Sequence, residues 1–373
     1  YKNSNLYCLI LLIELCFLFP INSSAQENSL EPVILIPGIL GSWNSDVILH
    51  NRNGTGTWSF IGTDHTWDNM IDALKNAGYE KDKNLFIAFY DWRQSNINSA
   101  TDYLVPTIDK ALVNSATGKV NIVAHSMGGL VARRYIQSSD YRGDVDQFIM
   151  LGTPNHGSSD VYTLWEGGVV PSKWLSFERF IIGLYLHYMT AITSQTANSY
   201  ETIHTFIPSI GELLPTYSFL INSEEETKDY SSLAEAQNPF LTNLNSSESE
   251  FGSNLQSLGG ITVIIGTGEG TVGNIPIAEQ TDDSNKLWKD GKPEPFPPAR
   301  NETEGDNRVL VSSANMEHIV FPDQLAQNFW QRFLGKIFPK ALAEYDGEHQ
   351  DEYLKQIEIN SKHGDLPTNA IPQ

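Results

Sequence analysis

One stretch constrains this chain more than any other. Val120-Asn121-Ile122-Val123 is a β-branched run, and Gly129 to Ile136 (GLVARRYI) has the pattern of a helix. Between them stands Ala124-His125-Ser126-Met127-Gly128. A serine on a sharp strand-to-helix turn, with small residues two positions to either side, is a nucleophile elbow. The small flanks let strand and helix pass close to each other. The helix start offers free N–H groups and a positive dipole end to a developing oxyanion. The same five letters also occur in ordinary loops, and it is the strand before and the helix after that separate the two readings.

The rest of the chain supplies the frame such an elbow needs. Glu31 to Gly38 (EPVILIPG) is a short continuous apolar run ending in a turn, which suits a buried parallel strand. Trp67, Met70, Ile71 and Leu74 fall at helical spacing, with Gly78 closing the helix. Asn84 to Phe89 reads as a strand, Thr101 to Val113 as a helix, Asp146 to Leu151 as a strand and Gly260 to Gly266 (GITVIIG) as another. Strands alternating with helices predict an α/β fold with a doubly wound, mostly parallel sheet. With the elbow in place, the expected class is the α/β-hydrolase fold, and 373 residues accommodate one such domain with an insertion.

Residues 157–255 lack a strand pattern, and Phe177 to Met189 (FERFIIGLYLHYM) is almost wholly apolar and aromatic. The expectation is a helical cap or lid over an acyl-binding cleft, inserted between two sheet strands. A buried core helix would show the same composition. Leu6 to Phe19, behind Lys2 and before Pro20 and a small-residue site at Ala25, reads as a signal peptide over residues 1–25. That makes the chain exported, secreted or periplasmic, with the hydrolase domain over 26–342. Both cysteines, Cys8 and Cys16, fall in the leader. Residues 343–373 are polar and acidic and read as a disordered tail.

The 45 acidic residues outnumber the 24 basic ones, for a net charge of −21. That balance argues against nucleic acid and against electrostatic docking on anionic membranes. A transient contact of the greasy cap with a membrane or lipid surface stays open. No spacing of His, Asp or Glu suggests a metal, and no cofactor is expected.

Nucleophilic acyl transfer needs a hydroxyl, an imidazole to take its proton and a carboxylate to orient that imidazole. In this fold they follow the order serine, acid, histidine. Of nine histidines, His125 sits inside the elbow and reads as structural; His156, His187 and His204 precede the later strands; His349 and His363 fall in the tail. His318, after the last recognisable strand and before an amphipathic helix, stands where the base belongs. Asp306, between Gly305 and a β-rich run, is the preferred acid, with Glu269 as rival and Asp290 behind it.

In combination, PVILIPGILGS at 32–42, FYDWR at 89–93, AHSMGGLVAR at 124–133, LGTPNHGSSD at 151–160, PSIGELLPTYSFL at 208–220, NPFLTNLN at 238–245, GDNRVLVSSA at 305–314 and EHIVF at 317–321 resemble the lecithin:cholesterol acyltransferase family of lipases and acyltransferases. The resemblance implies Ser126 as nucleophile, Asp306 as acid, His318 as base, and the backbone N–H groups of Ile39 and Met127 as oxyanion hole. It implies a serine hydrolase acting on lipid or acyl esters (lipase, phospholipase A or esterase) or an acyltransferase. A non-catalytic binding protein on the same fold is the remote alternative. The family pattern is not fully kept: Ala124 replaces a glycine, and Asn307-Arg308 replaces a Gly-Thr-type turn.

Overall fold

The computed structural model describes residues 30–50, 56–61, 66–171, 176–193, 195–246, 254, 258–278, 287–295, 303–316, 354–360 and 363–369. The expected signal peptide and the amphipathic segment around Leu325 to Ile337 lie outside them.

Six strands form the main sheet: β1 (Val33–Ile36), β2 (Leu85–Ile87), β3 (Val120–His125), β4 (Val145–Leu151), β5 (Gly260–Thr267) and β6 (Leu354–Asn360). All adjacent pairs are parallel, in the order β6-β5-β4-β3-β1-β2. This is the α/β-hydrolase arrangement the strand–helix alternation predicts. Every residue of β3 and β5 is buried, as continuous apolar runs require when helices cover both faces. The alternation of β1 shows the two faces directly. Ile34 and Ile36 join one core with Ile108 of α2 (Val105–Leu112) and Leu130 of α3 (Met127–Ile136). Val33 and Leu35 join another with Met70 and Leu74 of α1 (Asp68–Asn76).

The chain runs from β1 outward to β2, then crosses back to the other side of β1 to enter β3. Such a reversal leaves a crevice at the carboxyl ends of the two central strands. Ile36 is in register with Ala124, so β1 and β3 end level. The Pro37-Gly38-Ile39 loop leaving β1 therefore faces the turn at Ser126 between β3 and α3.

Between β4 and β5 the chain makes the helical insertion, including α4 (Ser176–Thr193). Ile182, Tyr185, Leu186 and Met189 of α4 pack into the core, while Phe180, Leu184 and Ile192 are exposed. The only strand of the insertion among the described residues is the two-residue Leu220–Ile221. It pairs with Ile275–Ala278, which follows β5.

Two expectations are corrected. Residues 354–360 are not disordered tail but β6, paired over seven residues with β5. The acidic composition of 343–373 hid a short alternating segment, Gln356-Ile357-Glu358-Ile359-Asn360, able to extend an existing sheet. The run after Asp306 that reads as β-rich forms no strand: Leu310 makes one isolated bridge to Gly305, and a short helix follows at Val311–Ala314.

Candidate active site

Ser126 occupies the turn between β3 and α3 with φ 54° and ψ −127°. A left-handed serine is strained, by about 1–3 kcal/mol for such positions, and persists because its surroundings fix it. Its N–H donates to the Leu151 carbonyl of β4 at 2.9 Å, and its carbonyl accepts from the Gly129 N–H at 3.0 Å. Two residues on, a side chain at Gly128 would have its Cβ 2.5 Å from the Pro37 carbonyl oxygen, so only glycine lets α3 lie this close to the end of β1.

Facing Ser126 is the Pro37-Gly38-Ile39 loop. A Cβ at Gly38 would stand 2.9 Å from the Ser126 Cβ, a measure of how nearly the loop and the turn touch. Tyr90 pins this loop from behind: its hydroxyl donates to the Pro37 carbonyl at 2.9 Å. Met127 is the first residue of α3, so its N–H has no acceptor within the helix. The Ile39 and Met127 amides thus belong to the loop and the helix start that face one another.

Asp306 lies just past Thr303–Gly305, which pairs with Glu269–Thr271 after β5. The next residue, Asn307, turns the chain at φ 83°, a conformation asparagine tolerates. The turn folds Arg308 N–H and Val309 N–H onto one carboxylate oxygen of Asp306, at 3.0 and 2.8 Å. The other oxygen lies 2.8 Å from an imidazole Nδ1. That imidazole is His363, not His318.

His318 lies outside the described residues; among these, the imidazole beside Asp306 is that of His363. His363 follows β6 directly; the strand that was read as tail is what delivers it. The Asp306 carbonyl also accepts the His363 N–H at 2.8 Å, so acid and imidazole are joined by side chain and main chain at once. Both side chains are buried. Beneath them Gly152 has φ 56°, and a Cβ there would come within 3.0 Å of His363 Nδ1 and 3.1 Å of Asp306 Oδ2. From the nucleophile side, His125 Nε2 lies 3.0 Å from the His363 carbonyl oxygen. The structure therefore gathers the elbow, Asp306 and His363 at the carboxyl ends of β3, β4 and β5.

The rivals are placed elsewhere. Glu269 pairs with Asp306 through the backbone, by an isolated bridge, and is half-buried. Asp290, which follows β5, is buried against the insertion, accepting from the Ala234, Glu235 and Ala236 amides at 2.6–2.8 Å. Asp91 is structural: it forks onto Arg93 at 2.6 and 2.7 Å. Among the described residues, no cluster of three or more His, Cys, Asp or Glu side chains is arranged to hold a metal ion.

The segment 58–237 matches the family model of lecithin:cholesterol acyltransferase. Over that stretch the chain is similar to the lecithin:cholesterol acyltransferase family. That segment includes Ser126 and most of the insertion; Asp306 and His363 lie beyond it. Phospholipase A(1) LCAT3 of Arabidopsis thaliana is 28% identical over 165 residues, covering 43% of this chain and 33% of the relative. Lecithin-cholesterol acyltransferase-like 4 of the same plant is 29% identical over 223 residues, covering 42% of each. The chain thus spans well under half the length of these curated relatives. Among solved structures, the mature lipase BlEst2 of Bacillus licheniformis aligns over 94% of this chain and 91% of its own, with TM-score 0.42 and 12% identity.

Proposed function

We propose that this protein is a member of the lecithin:cholesterol acyltransferase-like family and an exported serine enzyme that cleaves carboxylic esters of lipids, as a lipase, phospholipase A or esterase. Ser126 is the nucleophile, His363 the base and Asp306 the acid. The carrying observation is the buried Asp306–His363 pair, 2.8 Å apart, joined through His125 to a serine held at φ 54°. With Asp306 on Nδ1, His363 keeps Nε2 for the Ser126 hydroxyl. The proton passes from Oγ to Nε2 as Oγ bonds to the acyl carbon. The carbonyl oxygen takes the negative charge, stabilised by the Ile39 and Met127 amides. Collapse breaks the ester C–O bond, and His363 returns the proton to the departing alcohol. Water, activated by the same imidazole, then releases the acid and frees Ser126.

An alcohol entering in place of water would make the same acyl-enzyme an acyltransferase. This second reading is favoured by the name of one relative, lecithin-cholesterol acyltransferase-like 4. Lipid preference is supported by the family match and by the apolar outer face of α4, which carries Phe180 and Leu184 exposed. This face is the part of the cap proposed to meet a lipid surface. Export is supported by the apolar run Leu6 to Phe19.

The test is hydrolysis of acyl esters graded in chain length, with and without a serine-directed phosphonate, followed by peptide mapping. The adduct is expected on the Ser126 peptide, with activity lost in proportion. A label on another serine, or full labelling with activity retained, would overturn the assignment.

A further inference from the structure

We infer that His125 is a positioning residue: its imidazole fastens the loop carrying His363 to the strand carrying Ser126, and so sets the nucleophile–base geometry. The inference rests on the proposed roles of Ser126 and His363.

The need for a fastening follows from the topology. His363 hangs from the end of β6, the edge strand, whereas Ser126 ends β3, with β5 and β4 between them. The loop must reach across two strands to meet the nucleophile. Two of its hydrogen bonds, the His363 N–H to the Asp306 carbonyl and the Nδ1 contact to the Asp306 carboxylate, tie it to the acid. Neither refers it to Ser126. The His125 contact does, because His125 is the residue immediately before the nucleophile and its Nε2 lies 3.0 Å from the His363 carbonyl oxygen.

A carbonyl only accepts, so His125 Nε2 carries the proton and donates. Nδ1 is then bare, facing Gly38, where a Cβ would come within 3.3 Å of it. The ring is held in this pose. Trp67 meets it edge-on at 6.5 Å between centroids, and the His363 ring lies 4.7 Å away, tilted by 42°. Burial, and then the nearness of a charge on His363, push the His125 pKa well below the ordinary histidine value. His125 thus stays a neutral donor of one tautomer while its neighbour gains and loses a proton in each cycle. Its backbone N–H and carbonyl belong to β3, so the clasp moves with the nucleophile strand.

Positioning of this kind acts on turnover more than on substrate binding, because the reacting atoms must stay aligned to within a fraction of an ångström. Three variants separate the donor from the bulk. His125→Phe keeps a ring and loses the donor. His125→Gln places an amide N–H near the position of Nε2. His125→Asn is polar but too short to reach. With a soluble short-chain p-nitrophenyl ester, kcat is expected to fall about 10- to 100-fold in Phe and Asn, with KM changed less than about twofold. Gln is expected to recover to within about fivefold of wild type, and phosphonate labelling of Ser126 to slow in the same order. Unfolding midpoints measured alongside show that the compared variants are folded; should Phe fail to fold, Gln against Asn makes the same comparison. Wild-type kcat in Phe or Asn, a Gln variant as slow as Asn, or a loss carried wholly by KM would each overturn the inference. Ser126→Ala and His363→Ala serve as separate controls. If either retains wild-type activity, it is the assignment of the site that fails, whatever the His125 variants do.

Discussion

Asp306 Oδ2 lies 2.8 Å from His363 Nδ1, although 57 residues separate the two in sequence. The opposite oxygen is saturated by two backbone N–H groups of its own turn. The carboxylate therefore cannot rotate away from the imidazole without breaking both. Asp306→Asn replaces an acceptor facing Nδ1–H with a group able to favour the wrong tautomer, and kcat is expected to fall by about 10⁴. His363→Ala should lose at least as much, whereas Glu269→Gln and His318→Ala should remain within about threefold of wild type. Initial rates on a soluble ester decide it. A crippled His318→Ala beside an active His363→Ala would mean that the base has been misassigned.

The strand–turn–helix at Ser126 and the parallel sheet were legible in the sequence for a shared reason. Each is a local pattern, an apolar run or a turn-forming residue, whose physics is settled by its immediate neighbours. Asp306 was singled out by its place between Gly305 and a run that reads as β-rich, although that run forms one isolated bridge and a short helix. His363 was not legible in this way. Its signal is the strand just before it, and β6 is too short and too charged to form alone; it exists only because β5 offers seven paired backbone positions. The Ile357 and Ile359 alternation was the available clue, outweighed by the acidic composition around it. His125 read as structural from its place inside the elbow; its contact to the His363 carbonyl spans 238 residues, beyond the reach of any spacing argument.

Asp91 and Arg93 are both buried, and they bond each other in a fork. Arg93 also donates to the Val47 and Ile48 carbonyls at 2.8 and 3.2 Å and to the Tyr185 hydroxyl of α4 at 3.1 Å. Removing the carboxylate charge leaves a buried cation uncompensated, a change worth about 3–5 kcal/mol for buried pairs. Asp91→Asn is expected to lower urea-unfolding stability by that order. Asp72→Asn, in an exposed i,i+3 pair with Lys75, should shift it by less than about 0.5 kcal/mol. Equal effects from the two would contradict this account of the pair.

Glu166 is fully buried beside Asp290, whose N–H donates to Glu166 Oε2 at 3.3 Å, while Oε1 has no hydrogen-bond partner. Burial first, and the Asp290 charge next, push its pKa from 4.5 up to about 8. The folded state thus holds this proton more tightly than the unfolded chain. The associated stability is fully present below about pH 4.5 and is lost as pH rises towards about 8. Glu166→Gln keeps the shape and cannot ionise, so its melting temperature should decline less than that of wild type from pH 5 to 9. Parallel declines would show that Glu166 is not the group responsible.

Helix α4 presents two apolar faces with different neighbours. Ile182, Tyr185, Leu186 and Met189 point into the core, and Ile182→Ser or Leu186→Ser should unfold the protein and affect every substrate alike. Phe180 and Leu184 lie one helical turn apart on the opposite side, 64% and 53% exposed, with Ile192 further along at 51%. Exposed Phe and Leu at helical spacing contribute nothing to the core, so Phe180→Ser and Leu184→Ser should leave the melting temperature within about 2 °C of wild type. Soluble short-chain esters, which need no surface, should be turned over at the wild-type rate. On long-chain esters in vesicles or emulsion the double variant loses two side chains that would enter the lipid, each worth roughly 1.5–3 kcal/mol when fully buried. With partial insertion, a 10- to 100-fold drop in apparent kcat/KM is expected, together with weaker retention on zwitterionic vesicles at high salt. High salt is the informative condition, because a chain of net charge −21 gains nothing from electrostatic attraction to lipid. Unchanged activity on vesicles would remove the outer face of α4 from lipid contact. A change in sedimentation between wild type and variant, without any change on vesicles, would assign that face to a second copy of the chain.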